Sequence, residues 1–395
     1  MLKKIQNCSG CHACASICPK SCITMKTDKD GFWYPQVNKT DCINCHLCEK
    51  VCPILSALPV SDKNAPVAYA AYNIDEKTRL ESSSGGIFSL LAQKILSDGG
   101  VVFGASFNDR FEVEHIAVDP VDDLYKLRGS KYVQSRIGDS YQQAKRFLEN
   151  GRTVLFTGTP CQIGGLKSFL GKEYDRLYTQ DIICHGVPSP MVWQRYVKFR
   201  EKKAASSTRR TFSRHKKYGW KMFSVQFEFT NCTEYIQAHS VDLYMTSFLR
   251  NWSLRPSCYD CHFKSLQRQA DITLADFWGI QNVAPEMDDD KGTSLVLIHS
   301  EKGERLWDSV AEQMVFRSVS VEQAIQYNSS AVQSVAEPPN RAAFLKAIRK
   351  RDFEKTVQKY TRQKKRFTFK KIPQRVLRKM IGNKNLEALK RKIRR

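Results

Sequence analysis

The sequence predicts an α/β body with a small cysteine-rich module in front of it and a basic helical tail behind. Three observations carry this. Nine of the fourteen cysteines fall within the first 52 residues. From residue 67 onward, short apolar runs alternate with stretches of helical periodicity, punctuated by Gly- and Pro-bearing turns. Of the formal net charge of +23, +19 sits in residues 341–395, where 22 Lys and Arg face 3 Asp and Glu. At 395 residues and 42% hydrophobic content, the chain has room for two or three ordinary cores.

The front module contains two runs of one design: Cys8, Cys11, Cys14, Cys18, Pro19 and Cys42, Cys45, Cys48, Cys52, Pro53. Each reads C-x2-C-x2-C-x3-C-P, the spacing with which a chain wraps three thiolates around one iron–sulfur cube and sends the fourth to its neighbour. Cys8, Cys11, Cys14 and Cys52 are therefore expected to hold one 4Fe-4S cluster, and Cys42, Cys45, Cys48 and Cys18 the other. Each Pro ends a short helix and turns the chain away. Between the runs, Asp30-Gly31 separates two apolar segments as a hairpin turn does. A zinc knuckle or a disulfide framework lacks this doubled grammar. Residues 1–56 read as a bacterial-ferredoxin-like module of two clusters.

The Pro and polar content of residues 57–66 reads as a linker. The body then opens with a strand over 67–72, and Ser82-Ser-Ser-Gly-Gly86 leads into a helix over 87–96. Gly99-Gly100 ends that helix, and two strands follow over 101–107 and 112–118. A short helix is expected over 122–127 and a longer one over 141–150. A buried strand over 153–157 runs through Gly158-Thr-Pro-Cys161 into another helix. The theme repeats with a strand over 178–184, the turn His185–Pro190 and a helix over 191–201. Residues 203–217 are basic and Ser-rich and read as an exposed loop. Strands are expected over 223–230, 272–275 and 294–299, with helices over 243–249 and 301–313.

Five cysteines remain in the body. Cys161 and Cys184 each stand at the end of a predicted strand beside Gly and Pro, and Cys258 and Cys261 form a C-x2-C pair. Strand ends of one α/β sheet converge at a common edge, so these residues can share a site. Cys22 in the module and Cys232 in the body read as core thiols.

The motifs Ser83-Ser-Gly-Gly86, Arg128-Gly-Ser-Lys-Tyr-Val-Gln134, Phe156-Thr-Gly-Thr-Pro-Cys-Gln-Ile163, Asp181-Ile-Ile-Cys-His-Gly186 and Cys258-x2-Cys-His-Phe263 occur in that order. Over about residues 67–326 the chain resembles the beta subunit family of coenzyme F420 hydrogenases and dehydrogenases, in which a fused ferredoxin module is a common partner. The resemblance implies an N-terminal domain over 67–150 and a C-terminal flavin and iron–sulfur domain over 151–335, ahead of the basic tail over 336–395. It implies FAD beside a third 4Fe-4S cluster ligated by Cys161, Cys184, Cys258 and Cys261. It also implies an oxidoreductase in which a donor such as reduced ferredoxin or a dehydrogenase subunit loads the clusters, and the flavin passes hydride to F420 or another organic carrier.

No G-x-G-x-x-G occurs, so FAD must be held by other means. Ser84, Gly85 and Gly86 offer backbone N–H groups at a helix N-terminus, Thr157, Gly158 and Thr159 a second such turn, and Lys131 a cation for a phosphate or the reduced flavin. The same residues also read as a plain helix cap and a solvated charge. His185, with no neighbouring carboxylate, reads as structural. Asp276-Phe-Trp-Gly279 reads as core packing. A non-catalytic electron-transfer subunit of a larger hydrogenase or dehydrogenase complex is the rival reading.

The tail mixes apolar and cationic residues over 353–360 and 374–393, a pattern that suits an anionic membrane surface better than nucleic acid. Absence of a secretory h-region or of an eighteen-residue apolar run leads to the expectation of a cytoplasmic protein, peripheral at most to a membrane.

Overall fold

The computed structural model describes residues 7–56 and 65–362. Most of the expected linker and the run 374–393 lie outside the described residues. Among the described residues there are thirteen strands: β1 (Ile23–Thr27), β2 (Trp33–Val37), β3 (Val67–Asn73), β4 (Val101–Phe107), β5 (Val113–Val118), β6 (Val154–Thr157), β7 (Leu177–Ile182), β8 (Thr208–His215), β9 (Ser224–Phe229), β10 (Glu234–Ala238), β11 (Ile272–Asp276), β12 (Ser294–Ile298) and β13 (Met314–Val319).

Eight of them form one mixed sheet in the order β13-β3-β12-β11-β7-β6-β4-β5. Its centre, β4, β6, β7 and β11, is parallel, and the flanking strands run antiparallel to their neighbours. Both faces of this centre are covered, which the apolar runs Val101–Phe103 and Val154–Phe156 of β4 and β6 require. Val101, Phe103, Val154 and Phe156 point to one face, where they meet Leu166 and Phe169 of the helix Pro160–Leu170. Val102 and Leu155 point to the other, against Leu90, Leu91 and Ile95 of the helix Ile87–Ser97. Thr159 and Gln162 form a capping box around Pro160, so this helix starts in fixed register three residues past the end of β6.

The hairpin expected between the cysteine runs is β1 and β2, paired antiparallel. Gly31 holds φ +91° in its turn, and a Cβ there would meet the Met191 amide nitrogen at 2.5 Å, so glycine is needed for both shape and contact. The module shares the body's core: Cys11, Ala13 and Val51 pack in the same cluster as Phe156 and Leu166.

Three expectations are corrected. Residues 203–217 are not an exposed loop, because the helix Pro190–Ala204 runs into β8, where Thr208, Thr211, Ser213 and Arg214 are buried. Their polar character misleads because the partners are distant in sequence: Arg214 forms a bidentate pair with Asp276 at 2.7 and 3.0 Å. The edge strands β10 and β13 add to the expected set, since each buries little of its side chains. The apolar face of residues 353–360 is not free for a membrane. The helices Arg341–Lys350 and Phe353–Arg362 bury Phe344, Ile348, Phe353 and Val357 against Trp193, Tyr196 and Trp252. Among the described residues no helix is long and apolar enough to cross a membrane.

Candidate iron–sulfur and cofactor site

The two cysteine runs fold alike. Gly10 and His12 in the first and Asn44 and His46 in the second all hold positive φ, at 72°, 69°, 53° and 58°. The short helices Ala13–Ile17 and Leu47–Lys50 start after the two histidines. These left-handed steps bend each loop inward, and the sulfurs sort three plus one. Cys8, Cys11, Cys14 and Cys52 line one gap. Cys18, Cys42, Cys45 and Cys48 line another, together with Cys22.

Cys161, Cys184, Cys258 and Cys261 line a third gap. Cys161 sits in the first turn of the helix after β6, Cys184 two residues past β7, and the C-x2-C pair around the turn Pro256–Asp260. Because β6 and β7 are parallel neighbours, their C-terminal ends deliver the first two sulfurs to one edge. Val187 N–H donates to Cys258 Sγ at 3.4 Å, and Thr159 Oγ1 lies 3.2 Å from Cys161 Sγ. The Lys264 ammonium donates to the carbonyls of Cys184 and Ser330 at the wall of the gap.

Burial pushes the thiols of Cys11 and Cys258 up to about 12, and lifts Cys14, Cys161 and Cys184 for the same reason. A thiolate at such positions needs a metal cation to compensate its charge. Among the described residues no three donors gather closely enough for a single ion. Each set lines one gap from four positions on the chain, as four sulfurs that each bind a different iron must. The donor sets fit iron–sulfur cubes.

Beside the third gap opens a cavity of about 660 Å³, which shares Cys184, His185 and Val187 with it. Ser84, Gly86, Lys131, Thr157, Gly158 and Thr159 line this cavity. Gly85 does not. It is packed so that a Cβ would meet the Ala71 carbonyl oxygen at 2.4 Å, and its N–H donates to Ser294 Oγ at 3.0 Å.

The second turn is also committed. Gly158 N–H donates to the Gln180 carbonyl at 3.1 Å, and Thr159 N–H to Gln162 Oε1 at 2.9 Å. Lys131 Nζ donates to the carbonyls of Lys126, Leu127 and Arg128 at 3.0, 3.0 and 3.1 Å. Its burial draws the amine down to about 7, so it is a lysine held by a helix end rather than a solvated charge. Ile87 and Phe88, whose backbone amides open the helix Ile87–Ser97, also line the cavity. Ser83 Oγ, accepting from Ser130 N at 2.7 Å, ties the serine loop to Arg128-Gly-Ser-Lys131.

Several lining residues carry no sequence signal of their own. Gln180 lines the cavity, and its buried Oε1 has no hydrogen-bond partner among the described residues. His115 lies against Phe156 and bonds the Thr157 carbonyl through Nε2 at 2.9 Å. In Asp276-Phe-Trp-Gly279, Phe277 is core as expected, but Trp278 lines the cavity and stacks on Trp220 at 4.9 Å. His185 Nε2 lies 2.7 Å from Asn251 Oδ1, an anchoring contact. Cys232 is exposed in the β9–β10 turn and is not a core thiol, whereas Cys22 is buried.

The fold and these sites define an iron–sulfur protein with a large mixed α/β sheet and cysteine gaps at the sheet's edge. Residues 7–54 match the family model for a 4Fe-4S dicluster domain, and residues 151–324 match the model for the C terminus of the coenzyme F420 hydrogenase/dehydrogenase beta subunit. The chain thus carries the C-terminal domain of that oxidoreductase family's beta subunit behind a two-cluster ferredoxin-type module. A chain from the structure titled as a xenon derivatization of the F420-reducing NiFe hydrogenase complex from Methanosarcina barkeri is similar at 18% identity and a TM-score of 0.45, covering 79% of this chain and 96% of that one. No curated protein matches the chain.

Proposed function

We propose that the protein is an iron–sulfur flavoprotein oxidoreductase that links 4Fe-4S clusters to a two-electron organic acceptor. The observation that carries this is continuity. The gap of Cys8, Cys11, Cys14 and Cys52 shares Ser9 and Ile54 with the gap of the four body cysteines, which in turn shares Cys184 and His185 with the large cavity. We assign Cys8, Cys11, Cys14 and Cys52 to the inner cluster, Cys18, Cys42, Cys45 and Cys48 to the outer one, and Cys161, Cys184, Cys258 and Cys261 to a third. FAD is assigned to the cavity, whose volume lies within the ordinary range for cofactor sites. Clusters transfer single electrons, and a flavin, stable after one or two, couples them to hydride carriers.

The chain's own residues do the positioning. The amides of Ile87 and Phe88, with Ser84 and Gly86, present a helix N-terminus to a pyrophosphate. Gln180 lines the cavity with a buried Oε1 that has no partner among the described residues, and Trp278 gives a flat wall. Arg214 is tied to Asp276, which holds this side of the cavity without an unpaired charge. F420 or another organic carrier is the acceptor class, and reduced ferredoxin or a partner subunit the donor class.

The test is anaerobic cofactor analysis. The protein should hold about twelve irons and one FAD per chain, and Cys258→Ser about eight irons. A wild-type content near eight removes the third cluster. Gly86→Val, which strains a φ of +86° beside Asn73 and Arg79, should lose FAD while keeping iron, and unchanged FAD sinks the cavity assignment.

One observation favours a role as one subunit of a larger assembly: Cys45 is exposed at the outer gap beside Ile43, 57% exposed, and Leu47. Steady turnover by the isolated chain with an artificial donor would exclude a role confined to electron transfer. A membrane role for the basic tail rests on residues 363–395. It is tested by liposome co-sedimentation after removing those residues alone.

A further inference from the structure

Five cysteines, not four, surround the outer gap. Cys22 lines it with Cys18, Cys42, Cys45 and Cys48, is 6% exposed, and packs against Cys18, Cys42 and Cys48. Its Sγ lies 3.3 Å from Cys18 Sγ.

The backbone builds this approach. Ser21 N–H donates to the Cys18 carbonyl at 3.0 Å, closing a tight turn. Ser21 holds φ +48°, a left-handed conformation disfavoured for any residue with a Cβ. The Cys22 carbonyl accepts from Asn38 N–H at 2.8 Å, which fixes the residue at the foot of the β1–β2 hairpin. The chain adopts an unfavoured step and then anchors it, with the result that one thiol faces another.

We propose that Cys22 is a positioning residue for the outer cluster: its S–H donates to the Cys18 thiolate and raises that cluster's reduction potential. A metal-bound thiolate is a pure acceptor, and a thiol is a donor to it. Hydrogen bonds to ionised acceptors are stronger than neutral ones. Reduction adds negative charge to the cluster and its sulfurs, so the bond strengthens in the reduced state and favours it. The outer cluster then takes up electrons more readily where Cys45 meets solvent. This rests on the two-cluster module alone and not on the third cluster or the flavin.

The experiment is a redox titration followed by electron paramagnetic resonance on the full-length anaerobic protein, with Cys22→Ala and Cys22→Ser. The outer-cluster signal is identified as the one altered in Cys45→Ser. In Cys22→Ala the iron content should stay at the wild-type value. The reduced-to-oxidised ratio of the outer cluster at a fixed potential should fall about tenfold, a downward shift of about 59 mV for one electron. Cys22→Ser, which keeps an O–H donor, should recover most of the shift, and the inner cluster should not move. An unchanged outer-cluster potential in Cys22→Ala overturns the proposal. So does a loss of about four irons, which would make Cys22 a ligand, or a shift that Cys22→Ser leaves in place, which would make packing the cause.

Discussion

Arg255 fastens the ferredoxin-type module to the body, and its removal has a calculable cost. The side chain is 0% exposed. Its Nε donates to the Cys8 carbonyl at 2.8 Å, Nη1 to Gln134 Oε1 at 3.1 Å and Nη2 to the Trp33 carbonyl at 3.0 Å. The guanidinium also lies 4.3 Å from the centre of the Tyr34 ring. Arg255→Met keeps much of the volume and takes the guanidinium donor from three oxygens, those of Gln134 and Trp33 buried and that of Cys8 partly buried. An unsatisfied buried group costs about 1 to 3 kcal/mol, so the loss is about 3 kcal/mol or more. With a urea dependence of about 3 kcal/mol per molar, that lowers a midpoint by about 1 M. The assay is anaerobic urea unfolding, with iron–sulfur absorbance reporting the module and far-ultraviolet circular dichroism the body. The absorbance transition should move down by about that amount and precede the loss of secondary structure. Arg255→Lys should recover little, because one ammonium cannot reproduce the three-way fork. An unchanged absorbance midpoint in Arg255→Met would refute the latch.

Two further outcomes follow from the body. Burial lowers the His115 imidazole to about 4 from its usual 6.5. Between these values the unfolded chain binds more protons than the native one, so stability rises with pH over about 4 to 6.5 and is lost on acidification, by at most about 3 kcal/mol. His115→Gln should flatten that slope in unfolding titrations at pH 7 and pH 5, and an identical slope in both proteins would remove His115 as its source. Phe344, fully buried and 5.1 Å from the Trp252 ring, should cost about 3 to 5 kcal/mol on change to Ala. A loss below about 1 kcal/mol in thermal unfolding would show that the helix Arg341–Lys350 is not part of the core.

The basic tail shows where composition misleads. Residues 341–362 look like the start of a charged appendage because eight of these 22 residues are Lys or Arg. The remaining face is Phe344, Ile348, Phe353, Val357 and Tyr360, and these complete the cluster around Trp193 and Tyr196. An amphipathic helix shows the same pattern whether its apolar side meets lipid or protein, so the sequence had no means of choosing. Arg214 makes the same point from the other side. Among Ser213, His215, Lys216 and Lys217 it reads as solvated, and only Asp276, 62 residues on, explains its burial.

What the sequence determined by itself was whatever depends on short spacing. The two C-x2-C-x2-C-x3-C-P runs, the hairpin at Asp30-Gly31 and the strand–turn–helix units after β6 and β7 are set by residues within a few positions of one another, where backbone geometry leaves few alternatives. Only the tertiary structure decided which backbone amides were free. Gly85 and Gly158 looked available, yet Ser294 and Gln180 take their N–H groups, while Gln180 Oε1 is left without a partner among the described residues. A hydrogen bond is local in space but not along the chain, so the unspent donors and acceptors of a site emerge only when the sheet has brought its strands together.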